Sequence, residues 1–314
     1  NTPVITSGAT ANVAENTTAV MTVTATDSDQ PTQTLSYSII GGADAAKFTI
    51  NSSTGALSFI SAPDFETPTD AGGDNVYDVT VQVADGQGST DSQAIAVTVT
   101  SANDNAPVIT SSATASVAEN TAAVMTVTAT DADQPAQTLS FSIVGGADAA
   151  KFTINASTGA LSFISAPDFE TPTDAGGDNV YDVTVQVSDG QGSTDSQAIA
   201  VTVTSANDNA PVITSSASAS VTENTTAVMT VTATDADQPA QTLTYSIVGG
   251  ADAAKFTINS STGALSFISA PDFETPTDTG GDNVYDVTVQ VADGQGSTDS
   301  QAIAVTVTSA NDNA

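Results

Sequence analysis

The chain repeats itself with a period near 104 residues, and no other feature restricts its fold as tightly. Glu15-Asn16 returns as Glu119-Asn120 and Glu223-Asn224, and Asp27-Ser28-Asp29 returns as Asp131-Ala132-Asp133 and Asp235-Ala236-Asp237. Self-similarity at a fixed period means one structural unit copied in tandem. A chain of 314 residues, whose length alone suggests two domains, therefore reads as three, at residues 1–104, 105–208 and 209–314.

The copies meet at a joint, Ser101-Ala102-Asn103-Asp104-Asn105-Ala106-Pro107, which recurs at Ser205 to Pro211 and begins again at Ser309. Its Asn-Asp-Asn triplet concentrates side-chain oxygens and free carbonyls, and the Pro two residues on stops a helix from absorbing those carbonyls. An oxygen-only cluster suits a hard cation, calcium above all. The chain opens inside one joint, at Asn1-Thr2-Pro3, and closes inside another, the pattern expected of a piece cut from a longer array.

The charge balance points the same way. There are 36 acidic residues against three Lys, with no Arg or His, for a formal net charge of −33. Nucleic acid and anionic membranes are excluded as natural partners. Self-repulsion on this scale loosens a compact chain unless cations offset it, so a metal is implied before any motif is read; an acidic, soluble surface is the plainer alternative. With no Cys, neither disulfides nor a thiolate metal site is available. The Cys-free, Lys-poor composition suits a large secreted bacterial repeat protein. Residues 1–314 contain no signal-peptide pattern and no apolar run long enough to span a bilayer.

Within one copy the apolar residues alternate with period two. Met21, Val23 and Ala25 share one face of a strand over residues 19–26, with Thr22, Thr24 and Thr26 on the other. Leu35-Tyr37-Ile39, Leu57-Phe59, Tyr77-Val79-Val81-Val83 and Ile95-Val97-Val99 repeat the pattern. Short strands separated by turn residues, without a convincing helix, indicate an all-β, antiparallel sandwich. Asn51 to Gly55 joins Phe48-Ile50 to Leu57-Phe59 as a hairpin in which Gly55 supplies a positive φ. Asp44-Ala45-Ala46-Lys47 suits a single helical turn with no function of its own. Phe48, Phe59, Phe65 and Tyr77 are the aromatic candidates for a modest core. Residues 67–76, with Pro68, Asp70, Gly72, Gly73 and Asp74, read as a solvated Gly/Asp loop, with a further cation or a binding surface as the alternative.

Six elements in fixed order now carry a family resemblance: Ala14-Glu15-Asn16, Asp27-Ser28-Asp29, Phe48-Thr49-Ile50 with Thr54 to Leu57, Asp64-Phe65-Glu66, Ala84-Asp85-Gly86, and Asn103 to Pro107. Together, and three times over, they resemble the cadherin repeat in the form found in very large bacterial surface proteins. The resemblance implies three tandem seven-stranded Greek-key β-sandwiches joined end to end, with typically three calcium ions at each junction. By that resemblance the first junction takes Glu15, Asp64 and Glu66 from repeat one, Asn103, Asp104 and the Asn105 carbonyl from the joint, and Asp131, Asp133 and Asp189 from repeat two. The second takes Glu119, Asp168, Glu170, Asn207, Asp208, Asn209, Asp235, Asp237 and Asp293. Carbonyls at Ala102 and Gln137, with counterparts at Ala206 and Gln241, complete the implied shells.

Each junction so composed holds seven carboxylates, which three Ca²⁺ nearly neutralise. The competing explanation is that these Asp and Asn residues only cap turns, which is most natural for Asp85 before Gly86. Ser101 stands where vertebrate members usually carry Asp, and Pro63-Asp64-Phe65-Glu66 replaces a Leu-Asp-Arg-Glu pattern while keeping both acids. The vertebrate strand exchange anchored by Trp is not expected, since the chain has no Trp. Asp27 to Pro31 lacks the further ligands of an EF-hand, and without His, Arg or Cys an enzyme is not expected. The Asn-x-Ser/Thr sequons, including Asn16, carry no assigned role.

The expected function is a calcium-rigidified extracellular spacer or adhesive stalk of a bacterial surface protein. Its partners would be calcium ions, neighbouring repeats of the same or another chain, and a cell-surface protein or polysaccharide. A self-assembling filament or surface-layer subunit, and a carbohydrate- or protein-binding module, are the alternatives.

Overall fold

A computed structural model describes residues 1–311 of the chain. The expected end of the last joint, Asp312 and Asn313, lies outside the described residues. Three copies of one all-β unit follow one another, and the first stands for all. Its strands are β1 (Val4–Ile5), β2 (Thr10–Ala14), β3 (Ala19–Thr22), β4 (Ala25–Thr26), β5 (Ser36–Gly41), β6 (Phe48–Ile50), β7 (Ala56–Phe59), β8 (Val76–Ala84) and β9 (Thr90–Thr100). The helical turn expected after Asp44 is a single 3-10 turn at Ala45–Lys47.

One sheet has the order β2-β9-β8-β5, the other β3-β7-β6, and β1 pairs with β4 beside them. The nine segments reduce to the seven expected strands because β1 with β2, and β3 with β4, are each one strand interrupted. The run over residues 19–26 breaks at Val23, whose N–H leaves the ladder for the Gly55 carbonyl at 2.8 Å. Its alternation survives the break, with Val23 buried and Thr22, Thr24 and Thr26 exposed.

The sandwich is not wholly antiparallel. β2 runs parallel to β9, with Val13 opposite Val99 and Ala14 opposite Thr100. The first strand begins against β4, crosses to the other sheet after Ser7, and there meets the last strand running the same way. This crossing brings the end of β2 beside the start of the joint, where the Glu15 N–H donates to the Thr100 carbonyl at 3.0 Å.

Period-two patterning places the core where the sequence put it. Tyr77, Val79 and Val81 of β8 face inward with Ile95, Val97 and Val99 of β9, and Leu57, Phe59 and Phe48 close over them from the second sheet. Phe48 stacks on Phe59 at 4.5 Å between centroids, and Tyr77 meets Phe59 edge-on at 5.1 Å. Phe65 packs only partly buried against this cluster. Gly55 has φ +74°, and a Cβ there would sit 2.2 Å from the Val23 carbonyl oxygen, so only glycine closes the hairpin.

Residues 67–76 are largely the solvated loop expected of them, with 71–74 exposed, but two side chains turn inward. Asp70 and Asn75 are buried, and the Asp70 carboxylate accepts N–H bonds from Asp74 at 3.0 Å and Asn75 at 3.1 Å. Burial disfavours the Asp70 anion, but these backbone donors outweigh it and hold its pKa below the ordinary carboxylate value. Asp44, set aside in the sequence as part of a turn, is also buried. Its carboxylate ties the loop to β8 by accepting from Ala71 N–H at 2.7 Å and Asp78 N–H at 2.9 Å.

Candidate metal centre

The joint is built from its upper repeat downward by one buried acid. Glu15 follows β2 directly, and its two carboxylate oxygens accept from Phe65 N–H at 2.7 Å and Ala102 N–H at 2.6 Å. One side chain thus fixes both the Asp64-Phe65-Glu66 segment and the first residues of the joint. Asn16 assists with a left-handed backbone, φ 60°, and donates its N–H to the Pro63 carbonyl at 2.9 Å. Glu119 repeats the arrangement with Phe169 at 2.8 Å and Ala206 at 2.6 Å.

From the next repeat, Asp133 reaches up to the joint. Its Oδ1 accepts the Asn105 backbone N–H at 3.1 Å and the Asn105 side-chain amide at 2.8 Å, while its own N–H donates to Asp131 at 3.1 Å. The Asn103 amide donates to Asp189 at 2.9 Å, and that bond, followed by the Gln191 N–H, lowers the Asp189 pKa. Asp189 also accepts from Gly192 and Ser193 at 3.0 and 3.1 Å, so it caps the turn that follows it, the role the sequence offers for its counterpart Asp85, while also facing the joint.

Oxygens of Glu15, Asp64 and Glu66 lie within 4.8 Å of one another, and so do oxygens of Glu66, Asp104 and Asp133. The second joint reproduces both groups with Glu119, Asp168 and Glu170, then Glu170, Asp208 and Asp237. There Asn209 bonds Asp237 by backbone at 3.1 Å and side chain at 2.8 Å, Asn207 reaches Asp293 at 3.2 Å, and Asp237 N–H bonds Asp235 at 3.2 Å. All eighteen residues expected at the junctions therefore gather at their joints, nine at each. At the N-terminal end the Asp29 carboxylate takes the Asn1 ammonium at 2.7 Å and the Gln33 side-chain amide at 3.4 Å.

The decisive atoms are those with no donor. Both carboxylate oxygens of Glu66 are buried without a hydrogen-bond partner, as are Glu170 Oε1, Asp131 Oδ2 and Asp235 Oδ2. A buried carboxylate that accepts nothing is expensive, and a cation is what such oxygens can serve. Burial pushes the Glu66 carboxyl above its usual range, and Glu15, Asp133 and Asp104 push it further the same way. Glu170 behaves alike, from burial first and then Glu119. An all-oxygen donor set at this density fits Ca²⁺.

Two contributors escaped the sequence. The Asn16 side chain donates to Asp104, and the Asn120 side chain to Asp208, contacts of which neither Asn gave any local signal. Gln137 faces the joint with its side chain, donating to Asp133 at 3.2 Å and to Asn103, where a backbone carbonyl was expected. The carbonyl of Gln134 instead takes the Ser101 hydroxyl.

The cadherin-domain family profile matches residues 9–100, 113–204 and 217–308. The chain belongs to the cadherin domain family. Its cadherin repeats are 28% identical over 311 residues to human protocadherin Fat 1 and 33% identical over 318 residues to mouse protocadherin Fat 4, covering 94% of this chain in each case. The chain spans 6% of the length of each relative. Among solved structures, repeats 22–24 of mouse cadherin-23 superpose with a TM-score of 0.71 at 24% identity, over 99% of this chain and all of that one. Repeats 3–6 of protocadherin gammaB7, solved as a cis-dimer, give 0.70 at 25% identity over all of this chain and 75% of that one. Cadherin repeats are adhesion and structural modules, not enzymes. Among the described residues no helix is long and apolar enough to cross a membrane.

Proposed function

We propose that this chain is a calcium-rigidified extracellular segment of a large surface or adhesion protein. The observation that carries the reading is Glu66: both its oxygens are buried and undonated, in reach of Glu15 and Asp64 on its own repeat and of Asp104 and Asp133 across the joint. The nine residues of each junction would hold the ions, with Glu66 and Glu170 central to the two sets. Calcium supplies positive charge to carboxylates that otherwise repel, and so converts jointed domains into a rod. Asn103 and Asn105 orient Asp189 and Asp133 toward the ions, and Glu15 holds the segment carrying Asp64 and Glu66 in place.

The secreted, bacterial setting is part of the same reading. It is supported by the absence of Cys and by only three Lys among 314 residues. Calcium titration by isothermal calorimetry tests the proposal, with several sites per chain expected in the micromolar to millimolar range of extracellular modules. Absence of binding heat at millimolar calcium, with intact folding, would contradict it.

A further inference from the structure

Each repeat carries a pocket that shares Asp64 or its counterpart with the joint but opens beside the 3-10 turn, about 430 Å³ in the first repeat and 450 Å³ in the second and third. In repeat one its walls include Lys47, Phe59, Ile60, Pro63, Thr69 and Tyr77. Lys47, Lys151 and Lys255 are the only side-chain cations in the chain, and all three stand on these pockets. Chance placement among 36 acids would favour ion pairs, yet none of the three lysines has one. Among the described residues the one ion pair within 4.0 Å joins the N-terminal ammonium to Asp29.

The lysine is presented on a fixed support. Lys47 N–H donates to the Asp44 carbonyl and Ile60 N–H donates to the Lys47 carbonyl, each at 2.8 Å, so the turn and β7 hold its backbone. The one acid on the wall, Asp64, is engaged elsewhere. Its Oδ1 accepts from Glu66 N–H at 3.0 Å and Thr67 N–H at 3.1 Å, and the carboxylate sits with Glu15 and Glu66 at the joint. Beside the free ammonium, Ile60 is 62% exposed, a large apolar side chain with nothing covering it.

We infer that each pocket binds a ring-sized organic carboxylate, the anion pairing with the lysine ammonium and the ring lying on the isoleucine. The volume suits one six-membered ring with its substituents, within the usual range of small-molecule sites. The net negative charge does not forbid an anion, because at physiological ionic strength fields are screened beyond about 8 Å and pairing is decided locally. Sugar acids and aromatic acids share this chemistry, and the two are separable by titration.

The test follows the methyl resonances of Ile60, Ile164 and Ile268 in the full chain, in millimolar calcium. Glucuronate and benzoate are added in parallel, with glucose and benzyl alcohol as neutral counterparts and acetate as the ringless anion. One ring acid is expected to saturate at millimolar concentration, about fivefold tighter than its neutral counterpart and than acetate. The triple variant Lys47→Met, Lys151→Met, Lys255→Met keeps the apolar stem and should weaken binding about fivefold, the upper end of what an exposed ion pair contributes. Saturation by glucuronate alone assigns a sugar acid, and by benzoate alone an aromatic acid. The inference is overturned if neither acid shifts the methyls, if acetate or the neutral compounds bind equally well, or if the triple variant binds as the wild type does.

Discussion

Glu66 and Asp133 belong to successive repeats, yet they offer carboxylate oxygens within 4.8 Å of each other, with Asp104 of the joint completing the group. Sequence separation brings no such contact by itself. It arises because Glu15 pins the Glu66 segment from one side and Asn105 pins Asp133 from the other. Two acids clamped this closely repel when bare and attract a divalent ion strongly.

Glu66→Gln should therefore change sign with calcium. In chelator the variant removes a buried, undonated charge and should stabilise the first joint by on the order of 1 kcal/mol. In calcium it should lower affinity at that joint on the order of tenfold, because affinity follows ligand charge. Scanning calorimetry in EDTA and in calcium reads both arms. A melting shift of the same direction in both would contradict the assignment.

Asp70, Asp174 and Asp278 predict an acid lability that owes nothing to the joints. Their folded pKa values lie below the ordinary 3.8, since backbone N–H donors outweigh the burial that opposes ionisation. A depressed acid stabilises the fold above its unfolded pKa, and that contribution is lost as pH falls through the folded value. Asp70→Asn should cost about 1 kcal/mol at pH 7, after discounting for the solvent that reaches the loop, and much less near pH 3. Urea midpoints in chelator at the two pH values check it, and an equal loss at both would refute it.

Two glycines of one repeat should respond differently to the same substitution. Gly55→Ala meets the Val23 carbonyl at 2.2 Å in addition to a positive φ, whereas Gly73, at φ +67°, has nothing within 4 Å of an added Cβ. Gly73→Ala should cost about 1 kcal/mol for its backbone alone, and Gly55→Ala clearly more, on the order of 3 kcal/mol. Thermal melts of the two variants compare them; equal shifts would contradict the close approach.

Much of this was legible in the sequence because period two survives irregular pairing. Tyr77, Val79 and Val97 face the core whether the neighbouring strand is parallel or antiparallel, so β8 and β9 could be read while the parallel partnership of β2 with β9 could not. The eighteen junction residues came from the resemblance to the cadherin repeat, whose acids and amides recur here in fixed order, and the structure gathers them at the joints. The side-chain bonds of Asn16, Asp44 and Gln137, the last expected only through its carbonyl, were not legible because each partner lies 88, 27 or 34 residues away, and local spacing carries no trace of it. In the loop over residues 67–76, Gly72, Gly73 and Asp74 are exposed as their types suggest, but the inward turn of the Asp70 carboxylate onto its own backbone left no signal.

The central claim is that ions, not apolar packing, hold the repeats in line. Asp104→Ala removes one carboxylate from the first joint while leaving Asp208 and the whole second joint intact. Each repeat keeps its own core, so secondary structure should not change, but repeats one and two should hinge. Small-angle scattering of wild type and variant, at calcium near the measured affinity, tests this most directly. The variant's maximum dimension and radius of gyration should fall below those of wild type, and chelation should shorten wild type further. Identical profiles for wild type, variant and chelated protein would mean that something other than bound calcium holds the repeats in line.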